Sequence, residues 1–195
     1  LCSCINNKCQ AVYNEKFDSA VIDIKKKIID NPDDPRYYFL LGSTYYWKTL
    51  FNYDDNITNE NMFLESFDKC IELTSQKVTV EPNNPWLHFI IGASYGYKGL
   101  FYRSKEETFS AVKFGSKAIA HLHKIGETDP ALLIDSYYGL GIYNYYAGNA
   151  GFFIRLLLPV FFETADPDKG LRLLKISSEK GTLTNTEAQF MLANI

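Results

Sequence analysis

With 195 residues the chain fits one domain, since domains run to about 100–200 residues, and a composition of 46% hydrophobic and 22% charged residues excludes wholesale disorder. A net charge of −3 leaves no basic footprint for nucleic acid. The longest apolar run, 151–162, is broken by Arg155 and falls short of the ~20 residues of a membrane-spanning helix.

Three of the four cysteines, Cys2, Cys4 and Cys9, lie in the first nine residues, with Cys70 apart. The chain starts at Leu1 and not at Met, so further residues are expected upstream. Leu1-Cys2-Ser3-Cys4 resembles a bacterial lipobox, which makes Cys4 the lipidated residue. Such an anchor tethers a domain to a membrane surface without spanning it. Two other readings stay open. The three thiols could hold a soft metal, although zinc sites prefer four ligands. They could also be bystanders or a local disulfide set in an oxidising compartment. Residues 1–9 read as a tether and 10–195 as a single domain.

Beyond the tether, Phe17, Ala20, Ile24 and Ile28 recur at helical spacing over 17–30, ahead of Asn31-Pro32. Asp34-Pro35, Asn84-Pro85, Asp129-Pro130 and Asp166-Pro167 each set a capping residue before a proline suited to the first helical position. Partner helices are expected over 60–76, over 104–124 from a capping box of Ser104 and Glu107, and over 166–180. A second capping box, Thr184 and Glu187, opens the last apolar run. The β-branched alternation at 77–80 is too short for a strand of its own. The chain therefore reads as all-α.

The helices repeat. Residues 35–51 overlay 85–101 with seven of 17 positions identical, and Gly42, Gly92, Gly141 and Ala193 follow at intervals of 50, 49 and 52 residues. A glycine in mid-helix costs about 1 kcal/mol against alanine. Its recurrence predicts that a neighbouring helix comes close to the backbone there.

Within this register, residues 16–32 resemble the second helix of a tetratricopeptide repeat: aromatic Phe17, small Ala20, apolar positions and a closing Pro32. Leu41-Gly42 with Tyr45, and Ile91-Gly92 with Tyr95, resemble its first helix, and Ala188 with Leu192-Ala193 resembles the start of another. The resemblance covers the chain from about residue 10 onward. It implies an α-α superhelix, a solenoid of antiparallel helix pairs. The period departs from the family, about 50 residues against roughly 34, with lengthened helices and with extra residues expected in the connections 52–60, 102–105 and 147–165. The third copy also has Asn144 where the earlier ones have tyrosine.

In that family the first helices line a concave groove, so the resemblance implies a protein partner bound by Phe39, Ser43, Tyr46, Phe89, Ala93, Tyr138 and Phe190, with Gly96 also facing the groove. Phe39, Phe89, Tyr138 and Phe190 form a ladder, each three residues before its anchor. The competing reading makes the ladder plain core, as aromatic stripes at helical spacing usually are. The apolar insertion 148–162 reads as a short helix broken at Pro159, against a membrane-dipping or partner-binding element. Lys48 and Lys98 read as stems covering apolar surface, against contacts to an acidic partner.

The signs of an enzyme are weak. The only histidines are His88, His121 and His123, and the last two lie on different helix faces, unlike an i,i+4 metal pair. The reading is a non-catalytic scaffold or adaptor without cofactor or metal, serving the bacterial cell envelope. It would be a lipoprotein of the periplasm, at the outer or inner membrane, when Cys4 is acylated, and cytoplasmic otherwise. Self-association into a homo-oligomer is compatible with it. The alternative is an accessory component of a transport system that holds a small ligand or lipid in an aromatic-lined cavity.

Overall fold

The computed structural model describes residues 16–51, 55–126, 129–150 and 165–195. Among these, all regular elements are helices: α1 (Phe17–Asp30), α2 (Pro35–Leu50), α3 (Asn56–Val80), α4 (Pro85–Ser104), α5 (Thr108–Leu122), α6 (Pro130–Gly148), α7 (Pro167–Lys180) and α8 (Asn185–Ala193). The all-α expectation holds. Asp34, Asn84, Asp129 and Asp166 accept from the backbone N–H of Arg36, Trp86, Leu132 and Asp168 at 2.9–3.0 Å. These bonds satisfy donors that a first turn otherwise leaves open. α1 stops two residues before Pro32 and α3 two before Pro82, because a residue preceding proline avoids the helical region.

The boundaries depart from expectation in three places. α3 starts at Asn56, with Asp55 accepting from Ile57 N at 3.1 Å, and runs 25 residues through 77–80, where the faint strand pattern lay. Residues 56–60 and 102–104, expected in connections, thus lengthen helices. No capping box opens α5: Ser104 still belongs to α4 and donates to the Phe101 carbonyl at 2.7 Å. The break is instead a Schellman turn, with Glu106 at φ 61°, its N–H bonded to Arg103 O and the N–H of Glu107 bonded to Tyr102 O. That left-handed position usually carries glycine, so the sequence gives no cue. Thr184 does head α8, but its hydroxyl bonds Asp135 and Ser177 in place of the first turn.

α2 packs most extensively on α3, α4 on α5, and α6 on α7. The recurring glycines explain how. A Cβ on Gly42 would fall 2.8 Å from the Phe67 ring, on Gly92 3.0 Å from Leu122, and on Gly141 2.8 Å from Leu174. The close approach predicted from the repeat occurs in all three copies, always from the following helix. Ala193, at the fourth position, is exposed. α2, α4, α6 and α8 also touch one another in succession, whereas α3, α5 and α7 form no comparable row. The first helices of the pairs therefore make an inner layer.

The repeated lysines fasten neighbouring pairs together. Lys48 Nζ lies 2.9 Å from Asp18 on α1, and Lys98 pairs with Asp68 on α3. Their side chains are 8% and 5% exposed, each against an aspartate 64% exposed, so a preceding helix supplies the acid. Phe17, Ile24, Phe63, Phe67 and Phe101 pack in one core cluster that spans α1 to α4. Phe190 of α8 joins its edge, 5.1 Å from Trp47 and 6.2 Å from Phe51. The last described helix thus reaches back to the first pair.

A histidine pair locks α4 to α5. His88 is buried, with Nε2 2.8 Å from the Pro82 carbonyl and Nδ1 3.0 Å from His121 Nδ1. A carbonyl only accepts, so His88 Nε2 donates, and His121 Nδ1 donates to His88 Nδ1. Burial, then His88, Lys124 and Lys117, lower the His121 imidazole from 6.5 to about 4. The unfolded chain therefore binds this proton more readily, and stability is full above pH 6.5 and falls as pH drops toward 4. We expect urea midpoints to decline over that window, and less steeply in His121→Asn, which keeps a donor but does not titrate. Identical slopes in the two proteins would refute the assignment.

Candidate functional site

α5 and α6 pack far less closely than the partners within each pair. Between α5 and the inner helices α2, α4 and α6 lies a cavity of about 660 Å³, within the roughly 300–1,000 Å³ of small-molecule sites. α4 and α5 give it a wall of small residues: Ala93, Gly96, Ala111, Gly115 and Ala118. Gly96 stands four residues after its anchor, where α2 carries Tyr46 and α6 carries Tyr145, so the second copy lacks the bulk that the others have. α6 faces this wall with Tyr138, Ile142 and Tyr146.

Of the residues expected to face a groove, Phe39, Ser43, Phe89, Ala93, Gly96 and Tyr138 line the cavity. Tyr46 and Phe190 do not. Tyr46 packs into the aromatic cluster, 5.0 Å from Tyr97 and 5.9 Å from both Trp47 and Phe63. Phe190 is held on Trp47 and Phe51 as described. The ladder turns out to serve packing and cavity together. Phe39 meets Phe67 edge-on at 5.8 Å, and buried Phe89 packs with Leu122, Ile125 and Leu132, while both present a face to the hollow.

The middle of the cavity offers few free polar groups. Ser43 donates to Leu40 O at 3.0 Å. Burial pushes the Tyr138 phenol well above 10, so it stays neutral. Polar character gathers at the ends. At one end lie buried Asp135 and Glu187. At the other, the Arg103 guanidinium lies 3.7 Å above the Tyr146 ring, whose hydroxyl donates to Met191 Sδ at 3.5 Å. Neither Arg103 nor Gly115 stood out in the sequence, whereas Gly96, expected to face the groove, does line the cavity. The available cue was a mid-helix glycine without a counterpart one period away.

Among the described residues no three of His, Cys, Asp and Glu gather as a metal site. Cys70 is buried, and burial pushes its thiol up to about 11 despite the Ser94 hydroxyl donating to Sγ at 3.4 Å. Cys4, with the lipid anchor read there, and residues 151–162 of the apolar insertion lie outside the described residues. No helix among the described residues is long and apolar enough to cross a membrane. No protein-family model, curated protein or solved structure matches the chain.

Proposed function

We propose that the protein is a non-catalytic binding protein of tetratricopeptide-like architecture, whose inner helices hold one apolar small molecule in the 660 Å³ cavity. The architecture is supported by the order of helix pairs, the inner row of first helices and the glycine contacts between partners. One observation carries the function. A Cβ on Gly96 would meet only Ala118, at 3.9 Å, and one on Gly115 meets nothing within 4 Å among the described residues. Each glycine costs its helix about 1 kcal/mol that packing does not require, and what both preserve is space in the cavity. A polypeptide lying along the inner face is the weaker reading, because Phe190 closes on Trp47 across the ends of that layer. A place at the bacterial envelope rests on the lipobox resemblance of Leu1-Cys2-Ser3-Cys4.

Filling the cavity tests this. The double variant Gly96→Leu, Gly115→Leu should fold and melt no lower than the parent, yet lose binding of an added apolar dye such as Nile red, followed by fluorescence titration. The parent should saturate at one dye per chain. Equal binding by the two proteins would refute the proposal. A native mass spectrum showing a stoichiometric co-purified polypeptide in place of a small adduct would favour the groove reading.

A further inference from the structure

We infer that the occupant is a single-chain amphiphile with an anionic head, its chain lying along the small-residue wall and its head at Arg103. This rests on the cavity reading above and adds the chemistry of the ligand. The first argument is shape. α4 lines the cavity from Trp86 to Arg103, 17 residues along the helix, or about 25 Å at 1.5 Å per residue. A hollow that long, bounded in the middle by Ala93, Gly96 and Gly115, suits an extended hydrocarbon better than a compact ring system. The Ser43 hydroxyl already donates to a backbone carbonyl, so this stretch asks little hydrogen bonding of a ligand.

The second argument is charge. Arg36, also on the cavity wall, is forked onto Asp34, and Lys98 and Lys105 are paired with Asp68 and Glu60. Arg103 forms no ion pair among the described residues; it is exposed and braced only by the Tyr146 ring. The bracing keeps the planar guanidinium oriented without neutralising it, and a guanidinium presents paired donors that match a carboxylate. Asp135 and Glu187 lie near the start of the inner helices and Arg103 near the end of α4, so the cavity is polarised along its length. An anionic head is repelled at one end and bound at the other, which fixes its orientation.

The test compares laurate with dodecanol, which share a chain and differ in the head, as competitors of Nile red. Laurate should bind the parent about tenfold more tightly than dodecanol, through the charge-assisted contact. Arg103→Gln should remove that advantage and leave dodecanol unchanged, Arg103→Lys should keep part of it, and added salt should weaken laurate alone. If laurate and dodecanol bind alike, or if Arg103→Gln leaves laurate unaffected, or if the dye binds but neither competes, the inference is overturned while the cavity reading stands. If the filled variant Gly96→Leu, Gly115→Leu binds dye and laurate as the parent does, the cavity reading fails with it.

Discussion

Replacing Asp135 by alanine should destabilise the protein by about 4 kcal/mol, the largest loss expected from any single polar side chain described here. One carboxylate oxygen, Oδ1, accepts from the backbone N–H of Thr182 and Leu183 at 2.9 Å, from that of Thr184 at 3.1 Å, and from the Thr184 hydroxyl at 3.0 Å. The group is buried on α6, 47 to 49 residues before its partners, and it alone ties the turn between α7 and α8 to the inner layer by such bonds among the described residues. Gly181 lets the turn come that close, since a Cβ there would lie 3.0 Å from the same oxygen. Alanine leaves several buried donors without an acceptor, at about 1–3 kcal/mol each before relaxation. For a chain of this size a loss of 4 kcal/mol lowers the melting temperature by roughly 10 °C. Hydrogen exchange should accelerate first in α8, and with it the contact of Phe190 on Trp47 should loosen. Asp135→Asn retains an acceptor oxygen and should recover about half the loss. A melting temperature for Asp135→Ala within a few degrees of the parent would show that the turn holds without the carboxylate.

Asp135 marks the limit of what the sequence discloses. A lone acid in the stretch 132–138 carries no local signal, because its partners lie almost fifty residues on. The local cues fared well by contrast. The Asp-Pro and Asn-Pro caps act within two or three residues of themselves, and all four are formed. Glycine periodicity is read from the chain alone, and each of the three recurring glycines meets its partner helix. Where a local cue misled, tertiary contacts had taken over its atoms. Thr184 spends its hydroxyl on Asp135 and Ser177, and Glu106 adopts the left-handed turn that a glycine would have announced. Asn144, out of pattern in its copy, is explained by the same kind of long reach: buried, it donates to Leu140 O at 2.8 Å and accepts from Asp166 N at 3.2 Å, pinning the start of α7.

The candidate site was half legible for a related reason. The residues facing inward follow from the repeat, and six of the eight named line one cavity. What the repeat could not disclose is the departure from itself. Tyr46 and Gly96 occupy equivalent positions, yet one is packed core and the other a wall of the hollow. Pattern reading rewards what recurs, and the space in this protein comes from what does not.

The same logic separates two kinds of glycine, and alanine should tell them apart by sign. In Gly170→Ala the new Cβ would lie 2.6 Å from Tyr145 N and 2.8 Å from Gly141 O, both backbone atoms of α6. Neither can rotate away, so α6 and α7 must part along their shared face, and the contacts of Leu174 with Gly141 part with them. Overpacking of this kind costs about 3 kcal/mol, which outweighs the roughly 1 kcal/mol that alanine gains over glycine in a helix. Gly96→Ala places its Cβ 3.9 Å from Ala118, an ordinary contact, and should therefore stabilise by up to about 1 kcal/mol. Urea unfolding of the two variants beside the parent gives both signs in one experiment. Had Gly96 been retained for close packing, its alanine variant would lose stability as well, and the argument that this glycine keeps space for a ligand would fall with it. A gain at Gly96 beside a loss at Gly170 assigns one glycine to the joint between helices and the other to the cavity.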